Sequence, residues 1–266
     1  MVIGGSRIFG CAANFERGRK CFFCGSFKIN RNGRGYVKCR RCGRSKSLVR
    51  LRKEVAVIKG FYQQVPAYRL AGDLGVDPKV VSRVYQRLRQ VVYHLAELEG
   101  AESKLSGEIE LDEAYFGGKR KGKRGRGAAG KSIVFGLLER DGRVYTKVVE
   151  NVTADVLMNH IRARTRKGSV YYTDAFRGYQ YLRRYGKHHT VSHRKSMVDK
   201  RTKNHINGIE GFWSYAKHIL YHYRGVSRFH FPMYLKEIEF RFNHRGDNTF
   251  RLFLKAFFGY VSPLIT

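Results

Sequence analysis

Apolar and polar residues follow two different periods along the second half of the chain. Stretches that alternate with a period of two predict β-strands, and stretches with apolar residues three or four apart predict helices. The turn Asp141-Gly142 lies between two such strands and predicts a hairpin. The predicted order is three strands, a helix, a strand, a helix, a strand and a long helix, at residues 107–116, 131–139, 143–150, 153–161, 168–174, 176–184, 188–193 and from about Asn204 on.

This order of elements predicts the fold class α/β (α+β), with a ribonuclease H-like mixed sheet and flanking helices over residues 106–245. In that arrangement the first and fourth strands are neighbours, so Asp112 and Asp174 are expected to meet near the strand ends. The last helix then brings in Glu210. Three acids from distant parts of the chain are predicted to converge.

Three converging carboxylates suit a site for two Mg²⁺ ions, with Mn²⁺ as an alternative, because hard cations take oxygen ligands. A pair of such ions stabilises both the attacking and the leaving oxygen when a phosphodiester bond is cut. In this interpretation Asp112 bridges the two ions, Asp174 holds one and Glu210 holds the other. Three further acids lie on the same strand. Glu108 and Glu110 share the face of Asp112, so either could contribute to the site, and Glu110 is the auxiliary candidate because a solvated role is favoured for Glu108 and Glu113.

Residues 54–98 have a helical pattern that is interrupted once. Gly75 predicts a turn, and Asp77 followed by Pro78 predicts the start of a second helix. The pattern favours a helix-turn-helix segment, and the alternative is a plain helical hairpin between domains. The second helix is predicted to turn Lys79, Ser82, Arg83, Gln86 and Arg87 outward, where Lys79, Arg83 and Arg87 would contact DNA, and to turn Val80, Val81, Val84 and Leu88 inward. The acidic stretch 98–106 is predicted to be a linker.

Four of the five cysteines form two C-x-x-C pairs, Cys21 with Cys24 and Cys39 with Cys42. This spacing predicts a zinc ribbon that holds one structural Zn²⁺, and the alternative is two disulfides. A module of this size needs the metal for its stability. The remaining cysteine, Cys11, is expected to be inert.

The charge of the chain points to nucleic acid. Lys and Arg number 53 against 21 Asp and Glu, which gives a net charge of +32 spread over the whole chain. A ribosome-like or membrane-surface protein is the alternative. Since no apolar run reaches the length of a membrane span, we expect no membrane contact and a cytoplasmic, nucleoid-associated location, assuming a prokaryotic source.

Two basic segments are further candidates for DNA contact. The stretch 117–131 contains a literal G-x-x-x-x-G-K-S pattern, but it opens a strand instead of a helix, so a phosphate-binding P-loop is rejected in favour of an arm that orders on DNA. A solvated loop without DNA contact is the alternative. The DNA-binding candidates in the two segments are Lys119, Arg120, Lys121, Lys123, Arg124, Arg126 and Lys131, followed by Arg194 and Lys195. Phe212, Trp213 and Tyr215 are expected to be core residues more than base-stacking residues.

The motifs Ile109-Glu-Leu-Asp-Glu-Ala-Tyr-Phe-Gly-Gly118, Tyr172-Thr-Asp-Ala-Phe-Arg-Gly178 and His205-Ile-Asn-Gly-Ile-Glu-Gly-Phe-Trp-Ser-Tyr-Ala-Lys217 resemble those of bacterial insertion-sequence transposases. These transposases combine a zinc ribbon with a DDE domain and are related to the eukaryotic Merlin elements. The resemblance implies that Asp112, Asp174 and Glu210 are the metal ligands and that Lys217 touches DNA phosphate. Because some relatives emphasise an Asn in the third position, Asn207 is an auxiliary candidate that shares or replaces the role of Glu210.

The resemblance also implies a reaction and its partners. The expected reaction is strand cleavage at the terminal inverted repeats of an insertion sequence, followed by strand transfer into target DNA by a homodimer or larger assembly. The alternatives are a domesticated DNA-binding protein without catalysis and a structure-specific nuclease of the same fold. The expected domains are a zinc ribbon at 20–50, a helix-turn-helix segment at 51–100 and the catalytic domain at 106–245, with 1–19 and 246–266 unassigned.

Overall fold

The protein is described from a computed structural model, which covers residues 21, 24, 26–117, 131–140, 142–191, 204–223 and 225–260. Its described residues divide into two compact units. One unit contains the residues up to Val92 and those from Gly246 on, and the other is Tyr93–Arg245.

A small antiparallel sheet opens the first unit. Its strands are β1 (Ile29–Arg31), β2 (Tyr36–Cys39) and β3 (Ser45–Ser47), in the order β1-β2-β3. Ser47 then caps helix α1 (Leu48–Tyr62), because its side chain accepts a hydrogen bond from the backbone N–H of Arg50. The strands carry few buried residues, so the sheet depends on something other than an apolar core.

Two helices joined by a tight turn follow: α2 (Ala67–Leu74) and α3 (Pro78–Glu102). Gly75 ends α2 in the left-handed conformation with φ of 58°, and the Asp77 carboxylate accepts the Lys79 N–H at 2.7 Å. The predicted turn and helix start are confirmed. Lys79, Arg83 and Arg87 are exposed, but Val80 was wrongly assigned to the interior, since it is 45% exposed at the first turn of the helix.

Helix α3 also corrects the predicted linker, because it continues as far as Glu102. The acidic residues Glu97, Glu99 and Glu102 therefore belong to a helix and not to a loop. Two of them have cationic partners within the second unit. Glu97 pairs with Arg164 at 2.9 Å and Glu99 with His244 at 3.2 Å.

The second unit is built on a five-stranded mixed sheet in the order β6-β5-β4-β7-β8. The strands are β4 (Glu108–Phe116), β5 (Ser132–Glu139), β6 (Val144–Val149), β7 (Val170–Thr173) and β8 (Lys187–Thr190). β4, β5 and β6 are antiparallel neighbours, whereas β7 lies parallel to both β4 and β8. The α/β, ribonuclease H-like class and the adjacency of the first and fourth strands of this sheet are confirmed.

Helices cover both faces of this sheet: α4 (Ala154–Arg164), α5 (Asn207–His222) and α6 (Phe231–Asn243). On one face Ile109 and Leu111 of β4 pack with α4. On the other face Ala114 of β4 packs with α5 and α6. Since side chains alternate along a strand, Glu110 and Asp112 also point towards α5. A last helix, α7 (Thr249–Tyr260), belongs to the first unit, where Phe253 meets Phe61 edge to face at 5.1 Å between ring centroids.

Three predicted elements of the second unit differ from the observed ones. The helix predicted at 176–184 is a pair of short 3₁₀ turns, Arg177–Tyr179 and Leu182–Arg184. The strand predicted at 188–193 is Lys187–Thr190, and the helix predicted from about Asn204 begins at Asn207. Each of the two 3₁₀ turns buries one apolar side chain: Tyr179 in the first and Leu182 in the second.

Candidate active site

Parallel pairing of β4 with β7 places two of the predicted acids side by side. The paired residues of the two strands end with Glu110 opposite Tyr172. Asp112 and Asp174 each come two residues after this pair, so the parallel direction of the strands carries both to the same end of the sheet. Asp174 follows directly after β7, and its carboxylate accepts the N–H of Phe176 at 3.0 Å, which orients it at the strand end.

Helix α5 brings the third acid to the same face of the sheet. Trp213 donates its indole N–H to Asp112 at 3.1 Å, and Glu210 lies one helical turn earlier in the first turn of α5. The indole fits because Gly136 of β5 has no side chain: a Cβ there would lie 2.4 Å from the ring. Trp213 is therefore both a core residue, as predicted, and a direct neighbour of the site.

Burial and the two other acids both act on the ionisation of Asp112. Burial raises the pKa of this carboxyl, and the negative charges of Asp174 and Glu210 raise it further, to about 6, against the N–H of Glu113 and of Trp213, which favour the ionised form. Repulsion among three carboxylates is what a bound cation would relieve. The donor set, three carboxylates, also matches the oxygen ligands that Mg²⁺ and Mn²⁺ prefer. Asp112, Asp174 and Glu210 therefore fit the Mg²⁺ or Mn²⁺ ions that the resemblance implies.

Each competing carboxylate of β4 has protein partners. Buried Glu110 accepts hydrogen bonds from the Arg140 guanidinium and from the Ile209 N–H, both at 2.9 Å. Glu108 accepts from the Tyr172 hydroxyl and lies 3.3 Å from Arg140.

On the opposite face of β4, Glu113 accepts from the hydroxyl of buried Tyr179. These contacts leave Asp112 as the acid of β4 that faces Asp174 and Glu210.

Sequence reasoning missed the clamp formed by Arg140 and Tyr172, whose guanidinium and ring lie 3.8 Å apart. Its partners are 32 residues apart in sequence, and no local pattern reveals them.

Glu110 and Arg140 also define where α5 begins. Gly208 is needed at this point, because a Cβ would lie 2.8 Å from the Glu110 carboxylate. The Arg140 guanidinium donates to the His205 carbonyl at 2.7 Å, just before the helix. Through these contacts Glu110 acts as a cap for α5 from the neighbouring strand, which explains why the helix starts at Asn207.

Two auxiliary candidates lie on α5, at either end of the stretch that carries Glu210. Asn207 is exposed in the first turn, and Lys217 is exposed two turns after Glu210. The ammonium of Lys217 lies 5.9 Å from the centre of the Phe116 ring. A role for Asn207 beside Glu210 and a DNA contact for Lys217 both stay predictions.

The four cysteines converge in the first unit. The Sγ atoms of Cys21 and Cys42, and those of Cys24 and Cys39, are 3.6 Å apart, and all four lie within 4.8 Å of one another. Ligands at the usual Zn–S distance occupy the corners of a tetrahedron with edges of about 3.8 Å. All four thiols are free of disulfides, so this arrangement is compatible with zinc.

Backbone groups prepare one of these thiols for a metal. Burial opposes ionisation of Cys39, but the N–H groups of Cys42 and Arg41 point at its sulfur and lower its pKa to about 6. Within the part of the chain that the structure describes, the cysteines form the one set of three or more His, Cys, Asp and Glu residues gathered tightly enough to hold a single ion. A two-ion site spreads its ligands more widely.

Many of the predicted DNA-contact residues fall outside the described residues. These are Lys119, Arg120, Lys121, Lys123, Arg124, Arg126, Arg194 and Lys195. Lys131 is described, half-buried beside the start of β5. Among the described residues, no helix is long and apolar enough to cross a membrane.

Comparison with known proteins identifies the class of protein. A family model for the ISXO2-like transposase domain matches residues 104–243, which include the whole sheet with α4, α5 and α6. The chain belongs to this family of transposases. An uncharacterized transposase-like protein of Haemophilus influenzae is 40% identical over 103 residues, which are 38% of this chain and 82% of the relative.

Structures of the Mos1 transposase are among the solved structures that match this chain. The Mos1 strand transfer complex is 14% identical with a TM-score of 0.32, covering 76% of this chain and 75% of that one. The Mos1 catalytic domain with raltegravir and Mn is 13% identical with a TM-score of 0.32, covering 66% of this chain and 94% of that one. Scores this low carry no argument about ligands or assembly.

Proposed function

We propose that this transposase is a DDE enzyme that cleaves and joins DNA strands at the ends of an insertion sequence. Asp112, Asp174 and Glu210 would hold two Mg²⁺ ions, with Mn²⁺ as a substitute. Such ions, when bound, stabilise charge on the attacking and leaving oxygens of the phosphodiester and lower the pKa of the attacking hydroxyl. The observation that carries the proposal is the placement of the three acids: Asp174 directly follows the strand paired with β4, Glu210 lies one turn before Trp213, which contacts Asp112, and the charges of both act on Asp112.

The remaining residues of the site would orient these ligands. The Trp213 N–H would hold one oxygen of Asp112 and so fix the orientation of its carboxylate. The Glu110–Arg140 ion pair fixes the start of α5 and with it the position of Glu210. Exposed Lys217, two turns along, would meet a DNA phosphate.

DNA is the proposed partner, through both units. The exposed face of α3 with Lys79, Arg83 and Arg87 would read the terminal inverted repeats, and the net charge of +32 would neutralise many phosphates. We propose that the four cysteines hold one structural Zn²⁺ and that residues 20–50 and 51–100 form the ribbon and the DNA-reading segment. Joining two ends requires at least a dimer.

A strand-cleavage and strand-transfer assay tests this function. End DNA of the element is incubated with the full-length protein and Mg²⁺, beside Asp174→Ala and beside Asp155→Asn, a matched loss of one exposed carboxylate on α4. Cleaved and joined products from wild type and Asp155→Asn, but not from Asp174→Ala, are expected. Products from Asp174→Ala at the wild-type rate would rule out the proposed site.

A further inference from the structure

Two histidines that have no role in the proposed function lie one turn apart at the end of α5. His218 and His222 are both exposed, and their spacing of four residues places them on one side of the helix. Their Nε2 atoms are 3.4 Å apart, and the rings meet edge to face at 84° with 4.9 Å between centroids. The two nitrogens converge on one point, while the rings do not stack.

This distance between the two Nε2 atoms is the one expected for two ligands of a tetrahedral metal ion. With Zn–N bonds of about 2.0–2.1 Å, two ligands at the tetrahedral angle are separated by about 3.4 Å. A hydrogen bond between two imidazoles would be shorter, at about 3.0 Å. We propose that His218 and His222 form a second metal site, for a divalent d-block cation such as Zn²⁺, with water in the open positions.

The location of the pair favours a cation. α5 ends at His222, so the pair lies in its last turns, where the unpaired carbonyl groups carry a partial negative charge. Neutral imidazole needs no negative partner to bind zinc. The high positive charge of the protein opposes binding, but charges further than about 8 Å away are largely screened at physiological salt.

A bound ion would join the last two turns of α5. Its effect would be to hold the end of the same helix that carries Glu210 near its start. The site shares no ligand with the cysteines or with the three proposed acids, so its failure and the failure of the proposed function are separate results.

Calorimetric titration with Zn²⁺ tests the site. Full-length protein is first loaded with one equivalent of Zn²⁺ to fill the cysteines, and wild type is compared with His218→Ala, with His222→Ala and with His94→Ala, which removes an exposed histidine of α3. Wild type and His94→Ala are expected to bind one equivalent more than either α5 variant. Equal binding by all four proteins overturns the proposal.

Chemical modification provides a second measurement that does not depend on other zinc sites. Diethyl pyrocarbonate modifies exposed imidazoles, and peptide mass spectrometry reads each position separately. Zn²⁺ is expected to protect His218 and His222 at least tenfold while the modification of His94 stays unchanged. Unchanged modification of the pair, or equal protection of His94, overturns the proposal.

Discussion

Replacing Asp112 by asparagine is expected to stabilise the metal-free protein while abolishing catalysis. Burial and the charges of Asp174 and Glu210 raise the pKa of Asp112 from its ordinary 3.8 to about 6. Each unit of pKa corresponds to about 1.4 kcal/mol, so ionising Asp112 costs the folded state about 3 kcal/mol at most. Water reaching this half-buried carboxyl lowers the expected cost to about 2 kcal/mol.

The sign of the pH dependence follows from the raised pKa. Below about pH 3 the carboxyl is protonated in both the folded and the unfolded chain, and it contributes nothing. Between about pH 4 and pH 6 the unfolded chain releases its proton first, so the free energy of unfolding falls as pH rises. Above pH 6 the full destabilisation is present. Asparagine cannot ionise, and its oxygen can still accept the Trp213 N–H.

Urea denaturation in Mg²⁺-free buffer measures this effect, with the fluorescence of Trp213, the single tryptophan of the chain, as the signal. Asp112→Asn is expected to exceed wild type by about 2 kcal/mol at pH 7.5 and by no more than about 0.5 kcal/mol at pH 4. Asp155→Asn is the control, because it removes an exposed carboxylate from the same unit. The reasoning fails if Asp112→Asn is no more stable than wild type at pH 7.5, or if the gap persists at pH 4.

Three further changes test other parts of the structure. Arg140→Met leaves buried Glu110 without its cation, and a loss of about 3 kcal/mol in urea denaturation is expected, whereas a loss below about 1 kcal/mol would contradict the role of the ion pair. Gly136→Ala pushes against the Trp213 ring, so about 1–3 kcal/mol of stability and most of the cleavage activity should be lost; full activity would show that the indole position is unimportant. Cys39→Ser should reduce bound zinc by about one equivalent, measured by mass spectrometry of the native protein, and unchanged zinc content would count against a four-cysteine site.

Local patterns were sufficient for the strand order and for the cysteine cluster. Period-two alternation identified β4, the turn Asp141-Gly142 identified β5 and β6 as a hairpin, and the general rules for mixed sheets then made the first and fourth strands neighbours. The paired C-x-x-C spacing identified the cysteine cluster, because ligand spacing on tight turns is itself a local property.

Long-range contacts explain what the sequence could not predict. The role of Glu110 depends on Arg140 and on the start of α5, which lie 30 and 99 residues further along the chain. The acidic residues within 97–102 indicated a linker, but they continue helix α3. Glu97 forms ion pairs there with Arg164 and with other cations that are distant in sequence. Likewise the 3₁₀ turns at 177–184 depend on burial of Tyr179 under the sheet, which no local pattern specifies.

The central claim is that three carboxylates hold a pair of divalent ions. A crystal of the full-length protein with Mn²⁺ and element-end DNA, measured for anomalous scattering at the manganese edge, tests it most directly. We predict two peaks about 3.5–4 Å apart, contacted between them by Asp112, Asp174 and Glu210. Manganese peaks elsewhere, with none in contact with Asp112 and Asp174, would contradict the account.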